Sequence, residues 1–233
     1  MSSEPAQTPP PTRPPSEPIF NAPLAALLVI ASIPAFNLLQ EEVHYNWYRF
    51  AFRPDTLTAG GWWPGLFTAM FLHAGWGHAL MNALGALAFA PPVARLFPGL
   101  KGGLAFVGFY MACGVVAALG YGLIHLNSDA LMVGASGAVF GLTGAAIRLL
   151  GRKNGRLRDL KDRRVVSTSA ALMMVNLAVG LIGFAPGVDA GGIAWEAHAV
   201  GYLFGLLAIG PWSKAFGGAA PFDSRPDSSD PVG

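Results

Sequence analysis

The sequence predicts an all-α, polytopic membrane protein of six transmembrane helices with a long first external loop. Three observations carry that expectation. Of its 233 residues, 53% are hydrophobic and only 12% charged, about half the charged share of an ordinary soluble domain. The apolar residues fall into charge-free runs at about 19–40, 56–94, 102–128, 130–147, 165–188 and 197–213, and a hydrocarbon core of ~30 Å takes about 20 helical residues. Basic residues are concentrated between the fourth and fifth runs. The composition excludes a water-soluble globule, a disordered chain, a coiled coil and a collagen-like repeat. A net charge of +2 gives no footprint for a nucleic-acid partner.

Taken in order, residues 1–20 are rich in proline (Pro5, Pro9, Pro10, Pro11, Pro14, Pro15, Pro18). They read as a disordered cytoplasmic tail, with no basic stretch abutting an apolar one and so no cleavable signal. The membrane domain is expected over residues 21–213. Its first run makes one helix. The second is too long for one, and Gly75, Trp76 and Gly77 set the start of the second helix. Residues 62–74 are then an apolar segment that dips into the membrane surface or rests on other helices. The remaining four runs supply one helix each. Residues 214–233, rich in Gly, Pro, Ser and Asp, are expected to form a disordered tail. The single cysteine, Cys113, has no partner for an internal disulfide and reads as a small apolar filler.

Charge sets the orientation, because positive residues are retained on the cytoplasmic side. Arg148, Arg152, Lys153, Arg156, Arg158, Lys161, Arg163 and Arg164 face only Asp159 and Asp162 in the same loop. That loop is therefore cytoplasmic, a topology signal in contact with lipid headgroups. Six spans then put both termini and the loop with Arg95 and Lys101 on the same side. The other loops carry Glu41, Glu42, Asp55, Asp129, Asp189 and Glu196, with Arg49 and Arg53 as their basic residues.

Inside a bilayer a strongly polar side chain is costly and marks a functional site by default. Helices 2, 4 and 6 run from outside to inside in this topology. His78 and Asn82 lie in the first half of helix 2, Ser136 opens helix 4 and His198 opens helix 6. All four fall in the outer half of the membrane and are expected to converge on one cavity open to the extracytoplasmic side. Their chemistry is complementary. A serine hydroxyl needs a neighbouring base to become a nucleophile, and a neutral imidazole is suited to that near pH 7. Asn and His side chains can donate to an oxyanion. His78 and Asn82, four residues apart, share a helix face. Gly137, Gly141 and Gly144 on helix 4, with His198, Gly201 and Gly205 on helix 6, form small-residue faces that permit close approach. Proton transfer requires the serine within about 3 Å of the imidazole. No carboxylate is placed to orient that ring, Glu196 being at the water interface, so the pattern is a dyad rather than a triad. Asn176 reads as an interhelical hydrogen-bonding group, and His44 and His125 as surface or supporting residues. No His/Cys/Glu cluster has metal-ligand spacing and no phosphate loop is present, so no metal or cofactor is expected.

These motifs resemble the rhomboid family of intramembrane serine proteases. Gly134-Ala135-Ser136-Gly137 with Ala138-Val139-Phe140-Gly141, the pair His78-xxx-Asn82 preceded by Phe71-Leu72-His73, and Ala197-His198-xx-Gly201-xxx-Gly205 match its helices 4, 2 and 6 across about residues 24–212. The resemblance implies Ser136 as nucleophile and His198 as the general base that later protonates the leaving amine. It implies an oxyanion hole from the Ser136 backbone N–H, His78 and Asn82. Gly134 would shape the site, and His73 would join a polar shell holding water. It further implies a rhomboid-like bundle of the minimal six-helix bacterial form, in the cytoplasmic membrane, with single-span membrane proteins as substrates. Helix 5 and the first loop are the gating elements it suggests. Inactive, client-binding relatives would lack the serine or the histidine, and both stand here. The chain departs from the family in lacking a Trp-Arg pair, having Trp63-Pro64-Gly65, and a Glu after helix 2, having Ala94-Arg95. The first loop is therefore expected to be held by other contacts, involving Trp47, Tyr48 and Arg49.

Overall fold

A computed structural model describes residues 22–43, 46–61, 63–151, 156–183 and 193–217. The expected tails at 1–20 and beyond 217, together with His44, Trp62, Arg152, Lys153 and Asp189, lie outside the described residues. Helices account for the architecture, and among the described residues the β-structure is an isolated bridge between Phe52 and Met132. Among the described residues six helices of 12 residues or more follow one another: α1 (Leu24–Glu42), α2 (Trp76–Ala94), α3 (Gly99–Ile124), α4 (Ser136–Ile147), α5 (Arg163–Ile182) and α6 (Trp195–Phe216). The start of α2 at Trp76 agrees with the glycine signal. α6 continues past Lys214, where the sequence ends the domain.

Among the described residues three helices, α1, α3 and α5, are long and apolar enough, by length and composition, to cross a membrane. α2 and α6 are as long, and carry His78 and Asn82 in one and Glu196, His198 and Lys214 in the other. α4 has only 12 residues. The fourth apolar run is thus not one helix from end to end. Residues 130–135 are drawn out to reach the segment before α2: Phe52 and Met132 exchange backbone hydrogen bonds of 3.0 and 2.8 Å, and Gly134 N–H donates to Ala69 O at 2.9 Å.

α4 is the axis of the bundle. Ten of its residues are buried, among them Gly137, Gly141 and Gly144, with α2, α3 and α6 around it and α5 touching it more lightly. Its tightest neighbour is α6. A Cβ at Gly205 would overlap the Gly141 carbonyl, and one at Gly144 the Tyr202 carbonyl. Only glycine lets these backbones meet, and such contact is how helices associate where lipid removes the hydrophobic driving force. The outer surface is apolar, with Leu24 and Met174 each 71% and Ile182 75% exposed, far more greasy surface than a soluble monomer shows.

The segment between α1 and α2 folds into short helical turns, Trp47–Phe50, Thr56–Ala59, Gly65–Thr68 and Ala69–Phe71. Local contacts hold it. Trp47 Nε1 donates to the Gln40 and Val43 carbonyls, Thr68 Oγ1 to Phe50 O at 2.7 Å, and Trp76 Nε1 to Glu41 at 2.7 Å. The Arg49 guanidinium sits over the Phe50 ring, whereas Tyr48 is largely exposed.

At the opposite end, two arginines of the basic loop turn inward. Arg158, 4% exposed, donates to Leu150 O and Asp162. Arg148 donates to Arg158 O and Leu206 O. Together they tie the turn after α4 to the far end of the basic loop and to α6. Asp162 caps α5 by accepting from Arg164 N–H at 2.8 Å.

Candidate active site

Ser136 is the first residue of α4. Gly134, two positions earlier, has φ +124° and faces His78, and a side chain there would meet both the backbone penalty and the imidazole, whose Nε2 lies 2.8 Å from a Cβ built on it. The turn at Gly134 therefore aims Ser136 toward α6. There Ser136 Oγ lies 2.8 Å from His198 Nε2, a distance set by the glycine contacts deeper along the two helices.

Two further contacts hold the His198 ring. Phe140, one turn below Ser136, stacks on it at 4.4 Å between centroids and 6° between planes. Asn176 of α5 lies at its far edge, with Oδ1 3.0 Å from Nδ1, while the Asn176 amide Nδ2 donates to Trp195 O at 2.9 Å. Asn176 is the interhelical hydrogen-bonding group the sequence suggests, but its partner is the imidazole as well as a backbone carbonyl. The sequence points to no residue orienting His198, and its one signal is a polar residue in the apolar second half of α5. Phe140 carried no signal distinguishing it from a core residue.

His78, Asn82, Gly134, Ser136 and His198 line one cavity of about 520 Å³, to which α2 and α5 both contribute. Asn82 is buried, and its Nδ2 has no hydrogen-bond partner among the described residues. His78 Nδ1 accepts from Ala74 N–H at 3.4 Å, so its other ring nitrogen carries the proton and can donate. The first backbone N–H groups of α4 lack intrahelical acceptors by helix geometry. His78, Asn82 and the first N–H groups of α4 are thus donors along the cavity that Ser136 lines.

His73 does not line the cavity. It is buried behind His78, edge to face at 5.3 Å, and Gln40 of α1 clasps its backbone with bonds of 2.8 and 3.0 Å. Glu196 is turned away from His198 and pairs with His125 at 3.2 Å, which Tyr121 covers. His125 thus ties α3 to α6 rather than standing free at the surface. Among the described residues no three His, Cys, Asp or Glu side chains stand close enough to share a metal ion.

Comparison with known proteins matches the sequence to a family. A relative from Bacillus subtilis (strain 168), named "Putative rhomboid protease YdcA", is 27% identical over 152 residues, covering 65% of this chain and 71% of that protein. "RHOMBOID-like protein 1" of Arabidopsis thaliana is 34% identical over 142 residues, 61% of this chain. The match takes in only 32% of that plant protein's length. The family model of the rhomboid domain matches residues 59–214, from the segment before α2 to the last turn of α6, and on that match the chain belongs to the rhomboid family.

Proposed function

We propose that this protein is an intramembrane serine endopeptidase, with Ser136 as nucleophile and His198 as general base. The observation that carries the reading is the 2.8 Å contact between Ser136 Oγ and His198 Nε2 inside a cavity enclosed by apolar helices. His198 takes the hydroxyl proton as Oγ attacks the scissile carbonyl. The oxyanion that forms faces His78, the unpartnered Asn82 amide and the Ser136 backbone N–H, donors fixed before the reaction begins. His198 then returns the proton to the leaving amine, the acyl chain remains on Ser136, and water activated by the same imidazole releases it.

The substrates are single-span membrane proteins. A helical peptide bond is shielded by its own turns, so the target must unwind to present an extended strand. In the membrane the chain has six spans, both termini and the basic loop on the cytoplasmic side, and the cavity open to the extracytoplasmic side of a bacterial cytoplasmic membrane. The charge bias of the loops supports that orientation. The test expresses wild type, Ser136→Ala and His198→Ala with a tagged single-span reporter, and probes each with a fluorophosphonate. Cleavage and labelling are expected in wild type and lost, by at least about 1000-fold, in both variants. Undiminished cleavage by Ser136→Ala, or labelling at another residue, overturns the assignment.

A further inference from the structure

Three features of α5 stand together. It is the least enclosed of the helices that flank the cavity, with Val165 and Asn176 as its buried residues. It meets α6 along one face: Ser169 bonds Tyr202 and Asn176 bonds Trp195, two pairs seven residues apart on each helix, as antiparallel neighbours must be. Gly180 completes the face, since a Cβ there would overlap the Trp195 side chain.

The Asn176 amide has only one possible orientation. The Trp195 carbonyl accepts and cannot donate, so the group bonded to it is Nδ2, and Oδ1 is left facing His198. Oδ1 has no hydrogen, so the proton of that contact belongs to His198 Nδ1. A neutral imidazole protonated at Nδ1 has a free lone pair at Nε2, and Nε2 is the atom 2.8 Å from Ser136 Oγ. The opposite tautomer would present an N–H to the serine and could not accept its proton.

Resting on the function proposed above, we infer that Asn176 is a positioning residue: through α5 docked on α6 it holds His198 in the Nδ1–H tautomer that can deprotonate Ser136. The hydrogen-bond chain is Trp195 carbonyl, Asn176 amide, His198 imidazole, Ser136 hydroxyl, with each link donating in the direction the next requires. An amide does this without burying a carboxylate among lipid-facing helices, where an unpaired charge is costly. His78 of α2 and Tyr121 of α3 are the titratable side chains that share the cavity with His198, and Glu196 on α6 is engaged by His125. Moving α5 away from α6 therefore removes the tautomer constraint on the base as well as opening one wall of the cavity.

The test uses the full chain in bicelles and compares wild type with Asn176→Ala, Asn176→Asp and Ser169→Ala. Ring-nitrogen NMR of histidine-labelled protein, with His198 identified by its loss in His198→Ala, reads the tautomer directly. Nδ1–H is expected in wild type and a mixture in Asn176→Ala. In reporter cleavage, Asn176→Ala should lower kcat about 10- to 100-fold with KM within about twofold. Asn176→Asp should recover much of that loss and move the acidic limb of the kcat–pH profile upward by about one unit, because a carboxylate favours the imidazolium. Ser169→Ala, which removes the other bond between the two helices, should keep kcat within about twofold. An unchanged tautomer in Asn176→Ala overturns the inference, whether or not kcat falls. A wild type without Ser136-dependent cleavage defeats the proposed function alone, since the tautomer measurement needs no substrate.

Discussion

His198 is held between two interfaces built by different means. On one side α6 meets α4 through facing glycines, backbone against backbone, and the meeting fixes the distance between base and serine. On the other side α6 meets α5 through two polar pairs and one glycine, over a helix whose outward side chains are mostly exposed. Where its glycine backbones touch, the first interface has no side chains to rearrange, so that contact is either closed or broken. The second can part while each helix stays intact, because what it loses is a few hydrogen bonds of modest strength. One histidine thus takes its distance to the nucleophile from a rigid contact and its proton placement from a yielding one.

The sharpest way to break this contrast is Gly205→Ala. The added methyl overlaps the Gly141 carbonyl, and two main chains cannot give way as a flexible side chain would. A destabilisation of about 3 kcal/mol is expected, the upper end of the overpacking range. Buried Cys113, the chain's single cysteine, reports it as an earlier onset of reaction with a thiol-reactive dye during thermal unfolding.

Next in size is Asp162→Ala at the start of α5, which removes the cap and the Arg158 pairing and should cost about 1 kcal/mol. The Arg158 hydrogen bond, aided by the Arg164 backbone N–H, holds the Asp162 carboxyl below its ordinary range. A carboxyl depressed in the folded state stabilises fully above its unfolded value and loses that contribution as pH falls through the folded one. The Tm difference between wild type and Asp162→Ala should therefore be full at pH 7 and shrink below about pH 4.

Smallest is Ser169→Ala, expected to cost about 0.6 kcal/mol, the average for a polar pair between membrane helices. The same dye assay applies. If Gly205→Ala proves no more damaging than Ser169→Ala, the two interfaces do not differ in the way described.

Ser136, His198, His78 and Asn82 were legible because charged loops fixed the direction of each apolar run, and direction gave depth. Glycine spacing likewise announced the α4–α6 contact. Asn176 was only half legible. Its use depends on how α5 is rotated about its own axis, and a helix apolar on every side carries no pattern that sets that rotation. The inward turn of Arg148 and Arg158 was hidden for a related reason: a positive residue in a loop reads as a topology signal whether it faces water or bonds the backbone of its own loop. The shortness of α4 was hidden because extended and helical apolar residues read the same in a charge-free run.

That shortness turns the fold into a ruler. Twelve residues of helix rise about 18 Å, against a hydrocarbon slab of about 30 Å. With the end of α4 seated at the cytoplasmic face, as the six-span proposal has it, the serine at its beginning stands about 12 Å beneath the opposite surface. An extended strand covers roughly 3.3 Å per residue, so a target would be cut about four residues inside its own hydrophobic boundary, and shifting that boundary along the target should shift the cut with it.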